Sequence, residues 1–370
     1  MHIPGFVMAA KNAVRKFLSQ RQNLTLLMVV GGAFLVIAAV VLAFFLRPAH
    51  LPSPLAPATP PQEAVARDPL TGEIVLVPGA TLPQVFGVMV ENSADAWPLS
   101  GLDQAFMVIE APAEGNIPRF IAFFSGDFED KKIGPVRSAR PYYVDWASQF
   151  DTLVYAHVGG SPEGLALLTG GERPVINLDE FYQGEYFYRD QARYAPHNAY
   201  TTSDRLKKAL EEVTPATPNY QPLIFKDDAP VGDSTGKSAV VDWGPGKTYD
   251  VAWQYDSATN AYLRLQGGQL LSAEKFKIPA DGIEANNVMI ISTDIVSIDN
   301  VDRKRITTVG QGDALLFQDG KVTLGRWQKN SPTDRLRMLD EQGNELPMNA
   351  GKTWVEVVRD TSVVSLQDAN

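Results

Sequence analysis

A run of 23 residues without a charge, Leu24 to Leu46 (LTLLMVVGGAFLVIAAVVLAFFL), divides this chain before any question of fold arises. An uninterrupted apolar stretch of more than about 18 residues reads as a membrane-spanning helix, because it matches the thickness of a bilayer core. Lys11, Arg15, Lys16 and Arg21 precede it, and residues 1–46 contain no Asp or Glu. That basic flank predicts a cytoplasmic tail over 1–23, an anchor over 24–46 and an extracytoplasmic remainder. The run is longer than a signal-peptide core, and Ala64-Val65-Ala66 lies too far beyond it to serve as its cleavage site, so an uncleaved anchor is expected. Residues 47–66 follow, with six prolines among small residues, and read as a stiff, extended spacer.

About 300 residues remain, enough for two domains with substantial cores. The chain is −10 overall and its first 46 residues carry +4, which leaves −14 for residues 47–370. So acidic a body is a poor general binder of nucleic acid, and any anion site on it must be a local exception. There is no cysteine, which excludes disulfides, thiolate metal sites, a thiol nucleophile and a lipid-modified cysteine.

Residues 67–213 alternate strand-like and helix-like segments and predict an α/β domain. Val85–Glu91, Phe106–Glu110, Phe120–Ser125 and Thr152–Val158 read as strands, and Pro141–Phe150 as a helix opened by proline. Ser161 and Ser203 are placed to cap two further helices. Thr214–Pro230, with four prolines, marks a linker over 214–237. Residues 238–362 then lose helical periodicity and predict a β-rich domain, with Asp319-Gly320 as a tight hairpin turn.

Several motifs occur in a specific order. They are ENSADAWPLSGLDQA, EGNIPRF, IGPVRSARPYYVDWA, HVGGSPEGLALL, YRDQARYAPHNAYT, GDALLFQDGKVTLGRWQK and NAGKTWVEVV. In this combination the chain resembles the DUF3048 (YerB-like) family from about residue 70 to 360. The resemblance implies a two-domain envelope protein tethered to a bacterial membrane, typically as a lipoprotein. Here a helix would replace the lipid, since the cysteine is missing. The family carries no established reaction.

The chemistry concentrates around IGPVRSARPYYVDW. Arg137 and Arg140 would enter a helix at Pro141, where guanidinium forks suit a carboxylate or phosphate, and Ser138 would cap the helix or donate to the same ligand. His157 sits at a strand's C-terminal end, where ligands gather in α/β sheets. FYRDQARYAPHNAYT adds Arg189, Asp190, Arg193, His197 and Asn198, expected to fold over the same strand ends. The ligand-binding set is therefore Arg137, Ser138, Arg140, Arg189, Arg193, His197 and Asn198. His157 or His197 is a candidate base, and Asp190 its orienting acid.

The bland alternative is that the arginines brace the loop through Asp127, Asp130 or Asp190. There is no G-x-S-x-G elbow and no close metal-ligand pair, so no cofactor or metal is expected. Gly159-Gly160-Ser161-Pro162 reads as a tight turn rather than a phosphate loop. Glu91, Glu110 and Glu114 have the residue type, without the spacing, of a glycosidase pair. Arg326, Lys329, Arg335 and Arg337 near Trp327 offer a second cationic patch or simply a charged strand face. Trp243, Trp253 and Trp354 read as core. Two functions stay open. One is a tethered protein binding an anionic cell-wall component or an envelope partner; the other is a hydrolase or transferase acting on a wall polymer at the same cluster. A third possibility, a purely structural subunit, leaves the cluster as internal bracing.

Overall fold

The structure is a computed structural model that describes residues 66–75, 81–213, 215–227, 236–244, 247–267, 269–270 and 282–368, together with helical stretches within residues 11–42. Residues Met1–Glu63 and Ala64–Asn370 form two separate compact units. Of the apolar run, residues 28, 29, 32, 33, 35–37 and 42 are described, helical and exposed; its other residues lie outside the described ones, as do spacer residues 47–65. Among the described residues no helix is long and apolar enough to cross a membrane, so the expected span is not among the helices seen.

The larger unit is strand-rich. Its first half supplies β1 (Val85–Val90), β2 (Met107–Pro112), β3 (Pro118–Ser125), α1 (Pro141–Ala147), β4 (Leu153–His157), α2 (Pro162–Thr169), β5 (Val175–Asp179) and α3 (Ser203–Val213). Its second half supplies β6 (Lys237–Val241), β7 (Val251–Asp256), β8 (Ala261–Gln266), β9 (Asn287–Ser292), β10 (Gly310–Gln318), β11 (Lys321–Lys329), β12 (Arg337–Leu339), β13 (Thr353–Val358) and β14 (Val364–Asp368). Ten strands make one sheet in the order β12-β11-β10-β9-β13-β2-β3-β1-β4-β5. β6, β7, β8 and β14 belong to a second.

The large sheet crosses the boundary between the halves. Thr353 to Glu356 of β13 pairs in parallel with Met107 to Glu110 of β2. β1, β2 and β13 are buried at every position, as expected of strands covered on both faces. One face carries Met89, Ile121 and Phe123 against Tyr142, Tyr143 and Trp146 of α1. The other carries Val88, Phe120 and Trp354 against Trp253 and Tyr262 of the second sheet and Leu206 of α3. β1, β2, β4, β5, β9 and β13 all point the same way, with β3 antiparallel between β1 and β2. Their C-terminal ends therefore share one edge of the molecule.

Local signals resolve in detail. Asp319-Gly320 is a two-residue turn between Gln318 and Lys321, both turn residues at positive φ. Ser161 Oγ accepts from Gly164 N and caps α2. The cap of α3 is Thr202, whose hydroxyl accepts from Arg205 N, not Ser203. Ser203 Oγ instead exchanges hydrogen bonds with the backbone of Asp130. The proline-rich segment after α3 is packed onto the body: Tyr220 is buried, stacks edge-on with Phe150 and donates to Pro83 O. Trp253 and Trp354 are core, and Trp243 is partly buried against the same cluster.

The cationic stretch around Trp327 is not an exposed stacking surface. Trp327 is buried and donates to Ser292 O. Arg335 pairs with Glu345 and Arg337 with Gln328. Lys329 is enclosed by loop carbonyls, and burial pushes its ammonium down to about 8.

Candidate functional site

The answer to the arginine motif begins with its glycine. Gly134 sits at φ +138°, where a Cβ would lie 2.7 Å from Val136 N, so only glycine fits the turn. The chain then runs extended between the ends of β1 and β4. Arg137 N donates to Met89 O on one side, and Val158 N donates to Arg137 O on the other. Ala139 N continues the seam to Gly159 O. Two arginines are thus delivered to the C-terminal edge of the sheet by strand-like pairing, and Arg140 is still extended when α1 begins.

The tyrosines complete the arrangement. Tyr143 Oη donates to Ala111 O and Tyr142 Oη to Pro112 O. These bonds fasten α1 to the β2–β3 connection and bring Glu114 and Arg119 beside Arg140. Arg140 Nε lies 2.5 Å from Glu114 Oε1, and Arg119 Nη2 3.5 Å from Glu114 Oε2. Burial alone pushes the Glu114 carboxyl up, but the hydrogen bond from Arg140 and the charges of both arginines outweigh it and hold it below its ordinary value. Arg137 Nε lies 3.1 Å from Glu91 Oε1, and His197 Nδ1 2.9 Å from Glu91 Oε2.

These groups line an open cavity of about 570 Å³. Four arginines (Arg119, Arg137, Arg140, Arg303) face three carboxylates (Glu91, Asp95, Glu114) in the lining, and Arg303 is itself paired with Asp299 and Glu163 outside it. Asn92, Ser93, Ser138, Ser161 and His197 complete the polar lining.

The predicted residues therefore divide. Arg137, Ser138, Arg140 and His197 meet in the cavity. His157 does not: it is fully buried, with Nδ1 2.8 Å from Gly159 O and Nε2 2.7 Å from Asn177 Oδ1. Arg189 is engaged by Glu180 and Asn198. Arg193 donates to the carbonyls of Ala96, Trp97 and Pro98 and pins that loop. Asp190 pairs with Lys132, whose hydrogen bond holds its carboxyl below the ordinary range. The carboxylate that orients His197 is Glu91.

The braces of the arginines are likewise Glu91 and Glu114, not Asp127, Asp130 or Asp190. Arg119 stands in the EGNIPRF motif, where residue type was the available signal. Arg303 comes from the second half, and its approach has no local signature. Among the described residues no group of three or more His, Asp or Glu side chains is placed to hold a metal ion.

Behind the cavity lies a charged interior. Asn92, on the cavity wall, donates to Glu110 Oε1. Glu110 Oε2 accepts from Arg264 Nη2 at 2.6 Å, and Glu356, its neighbour across the β2–β13 pairing, accepts from Trp253 Nε1. Glu110, Arg264 and Glu356 are all fully buried. Arg264 also stands 4.8 Å from the Trp354 ring centroid. Burial pushes both carboxyls up, and repulsion from Glu110 raises Glu356 further. Glu356 is the carboxyl driven further towards its protonated form, and Glu110 is the one set against a cation.

A strand-rich body of two sequence halves fused through one sheet, with an arginine cavity at its strand ends, matches one family in both parts. The model for the N-terminal domain of a protein of unknown function (DUF3048) matches residues 70–216, and that for the DUF3048 C-terminal domain matches residues 239–355. The chain belongs to the DUF3048 family. Among its relatives is YerB of Bacillus subtilis (strain 168), named as a lipoprotein, which is 32% identical over 313 residues, 84% of this chain and 91% of YerB. The crystal structure of YerB matches with a TM-score of 0.71 at 31% identity, covering 82% of this chain and 99% of that one.

Proposed function

We propose that this protein is a membrane-tethered, extracytoplasmic binder of an anionic cell-envelope component, held through the cavity of Arg119, Arg137, Arg140 and His197. The observation that carries the reading is the convergence of four guanidiniums in one open cavity at the strand ends of an otherwise acidic body. Glu91 holds Arg137, Glu114 holds Arg119 and Arg140, and Asp299 holds Arg303, so on this reading the pairs position the guanidiniums for a ligand and bracing and binding coexist. The uncharged run Leu24–Leu46 would supply the tether, and the lipoprotein name of YerB supports a membrane location.

The test measures retention of the full-length, detergent-solubilised protein on purified cell-wall polymer, beside its melting temperature. Arg140→Ala is expected to reduce retention about tenfold or more, the scale of one charge-assisted hydrogen-bonded contact. Arg140→Lys, which keeps the charge but loses the fork, is expected to fall between. Binding should weaken as salt rises. Undiminished retention by Arg140→Ala with an unchanged melting temperature would sink the reading.

The alternative, a hydrolase or transferase on the same polymer, has one observation of its own. His197 is oriented through Nδ1 by Glu91 and lies on the cavity wall, an arrangement suited to a general base. On this reading His197→Gln abolishes release of soluble fragments from the polymer. If the parent protein releases none, the reading fails.

A further inference from the structure

A second cavity, also about 570 Å³, adjoins the first. The two share Asp95 and His197 in their linings, so they are neighbouring parts of one cleft. Their chemistry differs. The first is a guanidinium and carboxylate chamber. The second is walled by Trp97, Pro98 and Tyr194, and the Tyr194 ring is 90% exposed. Arg193, though it lines the second cavity, spends its guanidinium on the carbonyls of the 96–98 loop and so holds the Trp97 wall in place.

Each cavity lies in the range of about 300–1,000 Å³ that encloses a small ligand, so the joined cleft outgrows a single small anion. Its composition narrows the class. Carboxylates of Glu91, Asp95 and Glu114 accept hydrogen bonds, which suits a ligand rich in hydroxyl donors. The guanidinium forks of Arg119, Arg137 and Arg140 match the planar geometry of a carboxylate. The exposed Tyr194 ring offers a stacking surface for the apolar face of a sugar ring.

Resting on the anion-binding reading, we infer that the cleft takes a linear sugar chain bearing carboxylate groups, with a carboxylate among Arg119, Arg137 and Arg140 and a following sugar against Tyr194 and Trp97. Two subsites make affinity depend on chain length. A free uronate reaches the arginine chamber alone, and a longer oligomer reaches both.

The experiment is calorimetric titration of the full-length protein in detergent with galacturonate, with its dimer and tetramer, and with a neutral glucose tetramer. Affinity is expected to rise at least tenfold from monomer to tetramer, with the neutral tetramer silent. Tyr194→Ala, a change at an exposed ring that leaves the core untouched, is expected to weaken the tetramer about 3- to 10-fold, the range of one aromatic contact, and to leave the monomer unchanged. Monomer and tetramer binding alike, or a Tyr194→Ala variant that binds the tetramer as the parent does, overturns the extended site while the arginine reading stands. Equal binding of the neutral tetramer overturns the requirement for carboxylate. Failure of every uronate while wall polymer is still retained overturns the sugar class. Failure of uronates and polymer together removes the underlying reading as well.

Discussion

Replacing Arg264 with Met is expected to destabilise the protein by about 3–5 kcal/mol at pH 7, the cost of breaking a fully buried ion pair from one side. Arg264 is the cation set against the Glu110 carboxylate, its 2.6 Å contact is closed to water, and three aromatic rings surround the guanidinium. Methionine fills much of the space and leaves the charge uncompensated. The loss should shrink in acid, where Glu110 can take up a proton. It should also be largely recovered by adding Glu110→Gln, which removes the stranded charge. Chemical denaturation of the three proteins at pH 5 and pH 7 checks this. A single variant that unfolds at the parent's midpoint at pH 7 would show that the guanidinium contributes packing alone.

Glu356→Gln is expected to act in the opposite direction. Glu356 is pushed well above its ordinary value, first by burial and then by Glu110, so the native state keeps a proton that the unfolded chain releases. A carboxyl raised in this way costs stability as pH climbs from the ordinary carboxylate range towards the raised value, at roughly 1.4 kcal/mol per pH unit. Glutamine keeps the shape: its oxygen can accept from Trp253, and its amide brings no charge beside Glu110. The variant should therefore match the parent near pH 4 and exceed it increasingly above, with a flatter profile of stability against pH. A parent-like profile would show that Glu356 is not the carboxyl whose raised value sets the pH dependence.

This cluster is also where the sequence was least informative. TWVEVV and MVIEAP are legible as strands, and an acid in each reads as an ordinary strand-end charge. That Glu110 and Glu356 stand side by side follows from the parallel pairing of β2 with β13, across nearly 250 residues of chain. Nothing in local period or turn chemistry records a pairing at that separation. The same fusion draws Arg264 into the interface and makes three ionisable groups share one interior. The segment after α3 illustrates the point from the other side. Its prolines read as a loose linker, yet Tyr220 and Leu223 pack on the core, because burial depends on what lies opposite.

The arginine site was partly legible. Arg137, Ser138, Arg140 and His197 were marked by residue type, by the Gly-Pro turn and by the density of polar groups in the loop of His197. His157 carried the same outward signs and is a satisfied core residue, because Asn177 and the Gly159 carbonyl close both its nitrogens. Side-chain direction separates the two histidines, and direction at a strand end depends on neighbours from other strands.

By itself the sequence determined the uncharged run and its flanking charges, the three helices and most of the strands, the Asp319-Gly320 hairpin and the presence of an arginine pair beside a strand end. These rest on interactions between residues a few positions apart, which period, capping and turn chemistry record directly. Only the tertiary structure decided that the halves share a sheet, that Glu91 and Glu114 hold the arginines, that Arg303 joins them and that two carboxyls are buried side by side beneath the site. Each of those is a contact between distant segments, set by which buried surfaces and charges can satisfy one another at once.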